Sequence, residues 1–230
     1  MRPLPRAPWA LERMDRDDVE PRALASAHVQ LAHVNRWLGG YRGVWRALRP
    51  FLDPGRVTRV LDIGAGPGLL GRALERRAAR GGAVAMTAMD RSAQVLTMAP
   101  ASMCAVAGDA LALPFRAGAF DVAILALTLH HVPDALQCDV LREAGRVART
   151  VLVSELHRAR PHYVGARLLA DTIWRTNALC REDGPVSVLR GYTEHELLAL
   201  AEAAGLRHAR VARAFFYRFV LVAEAPVSGP

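Results

Sequence analysis

Val60-Leu61-Asp62-Ile63-Gly64-Ala65-Gly66-Pro67-Gly68 reads as an apolar strand running into a glycine turn that opens a helix. Glycine belongs in such a turn because a side chain would hold a ligand off the backbone, and the amides at the start of the next helix favour an anionic group. Taken alone, the stretch fits any nucleotide binder, or an ordinary tight strand-to-helix turn. Outward from it, β-type runs at 57–63, 83–89, about 103–106, 120–127 and 150–155 alternate with helical patterns at 67–80, 92–99 and 133–147. Strands that are apolar on both faces and separated by helices predict an α/β fold on a doubly wound, mostly parallel sheet. A helix at 193–204, opened by the capping pattern Thr193-Glu194-His195-Glu196 and stopped at Gly205, precedes two runs, 207–213 and 215–223, that read as an antiparallel hairpin.

The flanking segments are of another kind. Residues 1 to about 20 mix Pro, Arg and Asp without periodicity and read as a loose arm, and 21–51 as two helices broken at Gly39-Gly40. Asp53-Pro54-Gly55 then punctuates. The expected division is an N-terminal arm and helical cap at 1–52 and a main domain at 53–230, with 158–192 a helical insert containing a turn at Asp183-Gly184-Pro185.

Composition narrows the class. With 230 residues, 52% hydrophobic and 23% charged, the chain can bury a real core, which excludes a disordered tail, a collagen-like fibre and a disulfide-stapled miniprotein. All 30 basic residues are Arg, giving a net charge of +8, but they are scattered with acids between them. The densest group, Arg72, Arg76, Arg77 and Arg80, has the spacing of a solvated helix face, so no nucleic-acid partner is expected. Cys104, Cys138 and Cys180 form no metal or redox spacing and fit a reducing compartment. No signal peptide is visible, and the longest apolar run, 122–129, is far short of the roughly 20 residues a bilayer requires. A cytoplasmic protein without stable membrane insertion, monomer or homodimer, is the expectation.

Two further carboxylates select among nucleotide ligands. Met86-Thr87-Ala88-Met89-Asp90 puts an acid at the end of the second strand, where it can accept from both ribose hydroxyls. Gly108-Asp109-Ala110, ahead of Leu113-Pro114-Phe115, puts another where it can meet an adenine amine. With these in place, residues 56–157 resemble the class I S-adenosylmethionine-dependent methyltransferases, a Rossmann-like family. The resemblance implies S-adenosyl-L-methionine (SAM) as cofactor and S-adenosyl-L-homocysteine as product. It places Gly64, Ala65, Gly66 and Gly68 against the methionine part, Asp62 near its amino group, Asp90 on the ribose, Asp109 and Ala110 at the adenine, with Arg91 and Leu127 as further contacts. Val34-Asn35-Arg36-Trp37-Leu38-Gly39-Gly40-Tyr41-Arg42, Val153-Ser154-Glu155-Leu156-His157-Arg158 and 183–188 look like small-molecule methyltransferases akin to the ubiquinone and menaquinone methylases, including those encoded beside type III polyketide synthases. That implies an aromatic, quinone or polyketide acceptor, methylated on oxygen or carbon, in a pocket lined by Trp37, Tyr41, His162, Tyr163 and Trp174.

Methyl transfer is an in-line displacement whose main demand is positioning, so no metal is indicated. A phenol nucleophile, with a pKa of about 10, benefits from a base. His130 and His131 follow the fourth strand, and His131 matches the family's common position; the alternative is that they cap a helix or pack under a lid. His157, at the end of the fifth strand, is a second candidate, whereas His28, His33 and His195 read as structural. Two other functions compete. Gly66-Pro67-Gly68-Leu69-Leu70-Gly71 formally satisfies the dinucleotide pattern of an oxidoreductase, although Asp62 inside the strand and the lack of room for a second domain argue against it. The other is a non-catalytic SAM-binding protein.

Overall fold

The computed structural model describes residues 4–16, 18–79, 83–215 and 217–226, so Arg80 and Phe216, which fall in the expected helix and hairpin, lie outside it. In chain order the elements are α1 (Pro21–Trp37), α2 (Gly40–Leu48), β1 (Val57–Ile63), α3 (Leu69–Ala78), β2 (Ala83–Asp90), α4 (Ala93–Leu96), β3 (Cys104–Ala107), β4 (Phe120–Ala126), α5 (Gln137–Val147) and β5 (Ala148–Leu156). They continue with α6 (Arg160–Asp171), α7 (Ala178–Arg190), α8 (Glu194–Ala203), β6 (Arg207–Ala214) and β7 (Arg218–Glu224). The seven strands form one sheet in the order β3-β2-β1-β4-β5-β7-β6. β7 alone runs opposite to the other six strands, pairing antiparallel with β5 on one side and β6 on the other. The strand order reverses between β1 and β4, and the crevice outside their carboxyl ends is where such sheets bind ligands.

Alternate residues of the central strands feed two cores. Leu61, Ile63, Ala123, Leu125, Val151 and Val153 pack against α5 and α8. Val60, Val122, Ile124 and Leu152 pack against α2 and α3 on the opposite face. Burial on both faces is why these strands read as continuous apolar runs rather than alternating ones. The capping box on Thr193 and Glu196 forms as expected at the start of α8.

Four expectations are corrected. The helix at 92–99 is only one turn long, and the helix at 133–147 opens with a 3₁₀ turn at Asp134–Leu136. The turn at Asp183-Gly184-Pro185 lies inside α7. Proline in a helix interior costs about 3 kcal/mol, and tertiary contacts override it here. The Asp183 carboxylate accepts the backbone N–H groups of Arg13 and Met14 at 2.8 and 3.0 Å, and Gly184 has no side chain because the Trp174 ring fills that space. The N-terminal arm is a strap rather than a loose end. Ala7 N–H donates to Leu189 O at 3.1 Å, Arg6 pairs with Asp134 at 2.7 Å, and Arg158 Nε donates to Leu4 O at 2.7 Å.

Candidate active site

A cavity of about 870 Å³ opens at the carboxyl edge of β1, β2, β4 and β5, beneath α1 and residues 8–16 of the strap. Its floor is the glycine loop. Gly64, Gly66 and Gly68 have φ of 69°, 55° and 67°, a region closed to most side chains, and a Cβ on Gly64 would lie 2.3 Å from Thr128 Cγ2. The loop's amides have internal acceptors. Gly64 and Ala65 donate to Met89 O, Gly68 to Ala65 O, and Gly66 to Asp90 Oδ2 at 2.8 Å. The turn therefore offers close approach along its backbone, whereas a pyrophosphate would require free amides. Asp90 Oδ1 accepts Ser92 N–H at 2.9 Å, which fixes the carboxylate at the cavity wall with lone pairs to spare.

Asp62, Arg91, Asp109, Ala110 and Leu127 line the same cavity. Asp109 accepts Leu111 N–H at 2.9 Å in a local turn, and Leu127 is held at φ 59°, its N–H on Ser154 O. Tyr41 also lines the wall, and burial, with Asp62 behind it, pushes its phenol up to about 12.

At the far end sits a cluster of histidines and carboxylates. His130 is buried, with Nδ1 2.7 Å from Glu155 Oε2 and Nε2 3.6 Å from Glu12 Oε1. His131 Nδ1 lies 2.7 Å from Asp15 Oδ1 and its Nε2 is 4.0 Å from Glu12 Oε2. Burial alone would lower the His131 pKa, but Glu12 and Asp15 hold its imidazolium up to about 9, so at neutral pH it has no lone pair with which to take a proton. Arg190 Nε donates to His130 O at 2.8 Å and ties α7 to this corner.

Four of the five expected acceptor contacts do not line the cavity. Trp37 ends α1 with 85% of its surface in solvent. Trp174 is only 4% exposed, in a separate small core with Ala27, Leu179 and Cys180. His162 and Tyr163 stand on α6, away from the wall; His162 Nδ1 is instead hydrogen-bonded with His157 O at 2.8 Å. His157 is likewise off the wall, packed on Phe219, and burial followed by His162, Arg213 and Arg158 depresses its pKa to about 4. Sequence reasoning also missed Glu12, Asp15, His28, Thr128, Ser154, Arg190 and Arg218, all on the wall. His28 was detectable as a polar position on a helical face, and its ring sits 3.2 Å from where a Gly66 Cβ would be.

Residues 60–150 match the model of the methyltransferase domain family. That span holds the glycine loop, Asp90, Asp109 and the His130 corner. That segment carries the signature of a methyltransferase domain. Among solved structures, the chain is similar in fold to a SAM-dependent methyltransferase from Aquifex aeolicus, at 19% identity and a TM-score of 0.63 over 90% of this chain and 100% of that one. Human N-acetylserotonin methyltransferase in complex with SAM is similar at 18% identity and a TM-score of 0.60, over 87% of this chain and 56% of that one. A SAM-dependent methyltransferase from Methanosarcina mazei is similar at 19% identity and a TM-score of 0.54, over 79% and 97%. No curated protein matches the chain. No helix among the described residues is long and apolar enough to cross a membrane.

The site fits this cofactor. Asp62 Oδ2 is buried and has no hydrogen-bond partner among the described residues, which is the environment an ammonium group would satisfy. Burial, reinforced by the Asp90 charge, lifts the Asp62 carboxyl from 3.8 to about 7. A carboxyl whose pKa is raised on folding contributes stability below its unfolded value, and that contribution is lost as pH rises through its folded value. Asp62→Asn is therefore expected to gain on the wild type between about pH 4 and pH 7, by on the order of 4 kcal/mol across the window. Melting temperatures of both proteins against pH, without cofactor, check this; a difference that does not change with pH would refute the burial argument.

Proposed function

We propose that the protein is a SAM-dependent methyltransferase that moves a methyl group to an oxygen or carbon of a small, largely apolar acceptor of the aromatic, quinone or polyketide type. The observation that carries this reading is the roof. The strap and α1 cover the cavity from Gly66 and Asp90 to His130, and cofactor and acceptor must share about 870 Å³. A folded RNA or protein would have to displace residues 4–16 from anchors on Leu189, Asp134 and Arg158. Leu31, Val44, Val132, Leu136 and Val140 give the wall its apolar character.

Bound along the loop, SAM supplies the activated methyl group. Asp90 would hold the ribose, Asp109 and Ala110 would border the adenine, and the bare backbone of Gly64 to Gly68 would let the methionine part lie close. Tyr41 and the His130 corner face the acceptor. His130, oriented by Glu155, accepts the proton of a hydroxyl nucleophile, and His131 stays charged between Asp15 and Glu12. Alignment of nucleophile, methyl and sulfur supplies most of the acceleration, about 7–11 kcal/mol where positioning is good.

The test is methyl transfer from isotopically labelled SAM to a panel of phenols, quinones and polyketide lactones, alongside bulk RNA and protein. Label entering small acceptors, with turnover cut at least tenfold in Glu155→Gln, supports the reading. Label confined to RNA or protein would overturn it.

A further inference from the structure

Glu12, His130 and His131 each offer a ligand atom, and these atoms lie within 4.8 Å of one another. Both imidazoles are backed by carboxylates on the Nδ1 side, His130 by Glu155 and His131 by Asp15, each at 2.7 Å. Both Nε2 atoms are thereby turned toward Glu12, at 3.6 and 4.0 Å. Carboxylate-backed rings presenting Nε2 to a shared point are how proteins orient metal-binding histidines. Glu12 is itself only 3% exposed, and its Oε1 has no hydrogen-bond partner among the described residues. Zn–N and Zn–O bonds of about 2.0–2.2 Å put tetrahedral ligand atoms about 3.3 Å apart, so a small inward shift of the strap would close the set.

Charge points the same way. Glu12, Asp15 and Glu155 bring three carboxylates to within 4.0 Å of the two imidazoles. A divalent ion at their centre would meet the Glu12 carboxylate directly, and coordination through Nε2 takes both imidazoles in the neutral form. We propose that Glu12, His130 and His131 bind a divalent transition-metal ion of the zinc type at the acceptor end of the cavity. Three protein ligands of this kind leave a coordination position open, here on the cavity side, for an oxygen of the acceptor. When filled, the site makes ligands of the two histidines. The strap contributes Glu12, so the ion would join it to the sheet. The site does not depend on methyl transfer, and its test is independent of turnover.

The experiment titrates the full-length, chelator-treated protein with Zn²⁺ by calorimetry and with Co²⁺ by visible absorption. The expected result is one ion per chain at micromolar or tighter affinity, with the intense visible bands of a low-coordinate Co²⁺ site. Glu12→Gln and His131→Gln should each weaken binding at least tenfold, and Asp15→Asn roughly tenfold through the orientation of His131. His195→Ala, an exposed histidine on α8, should leave it unchanged. Zn²⁺ binding that is absent, or equally tight in Glu12→Gln and His131→Gln, would overturn the proposal. Because Glu12 lies on the strap and His131 is part-exposed, both variants are expected to fold, which circular dichroism verifies.

Discussion

Asp90→Ala is expected to weaken SAM binding by about 100- to 1000-fold. The carboxylate has two tasks in the fold, accepting Gly66 N–H at 2.8 Å and Ser92 N–H at 2.9 Å, and in the proposed function its remaining lone pairs would go to the ribose. Hydrogen bonds to a charged group contribute about 1.5–3 kcal/mol each. Losing the ribose contact and loosening the Gly66 amide together therefore amount to about 3–4 kcal/mol. Asp90→Asn keeps one acceptor oxygen and should fall between the wild type and Asp90→Ala. Calorimetric titration of the three proteins with SAM and with S-adenosyl-L-homocysteine decides the matter; an Asp90→Ala affinity within threefold of the wild type would move the ribose elsewhere.

The second large effect is on stability. Arg158 is only 4% exposed and joins four segments: Nε donates to Leu4 O at 2.7 Å, Nη1 to Gly191 O at 2.6 Å, and the guanidinium grips both oxygens of Glu196 at 3.0 and 2.7 Å. Arg158→Met keeps the stem and removes every donor, leaving two carbonyls without partners and Glu196 with only the N–H of Thr193 and water. Breaking a fully buried pair costs about 3–5 kcal/mol, and the part-exposed Glu196 brings this down to about 2–3 kcal/mol. For a chain of this size that corresponds to roughly 5–10 °C in melting temperature. The strap should also become open to proteases ahead of global unfolding, because Arg158 is one of its few anchors. A melting temperature unchanged within a degree or two would show that the network contributes nothing net.

Both predictions turn on residues that differ in how visible they are in the sequence. Asp90 was legible because it closes an apolar strand at a fixed distance from a glycine turn, and both features follow from local backbone requirements. The sheet was legible for the same reason: strands such as Phe120–Ala126 are buried on both faces and advertise it in every residue. Arg158 was not legible as an anchor, since its partners are drawn from Leu4, Gly191 and Glu196, and nothing local distinguishes it from the other 29 arginines. Glu12 and Asp15 were hidden in the same way. The arm has no periodicity because it is held by individual side chains and carbonyls rather than by an apolar face. Trp37 and Trp174 misled for the converse reason: aromatic character says that a residue prefers contact, not which cavity supplies it, and one ends in solvent while the other fills the gap left by Gly184. Helix α7 survives Gly184 and Pro185 through contacts formed only once the chain has folded back on itself.

The position of β7 bears on how this molecule is made. Last of the seven strands to leave the ribosome, it is not an edge strand but sits between β5 and β6, hydrogen-bonded to both. Until residues 218–224 emerge, β5 has a bare edge and Phe219, Leu221 and Ala223 are missing from one core while Val220 and Val222 are missing from the other. A nascent chain can therefore assemble β1 to β5 with their helices and still carry an open, sticky border, the kind of exposed pairing edge that recruits other chains. The final strand acts as a zipper tab: the sheet closes only when residues 218–224 slot in between β5 and β6, and a chain ending before residue 218 would leave β5 with an unpaired edge for the chaperone and protease machinery to meet.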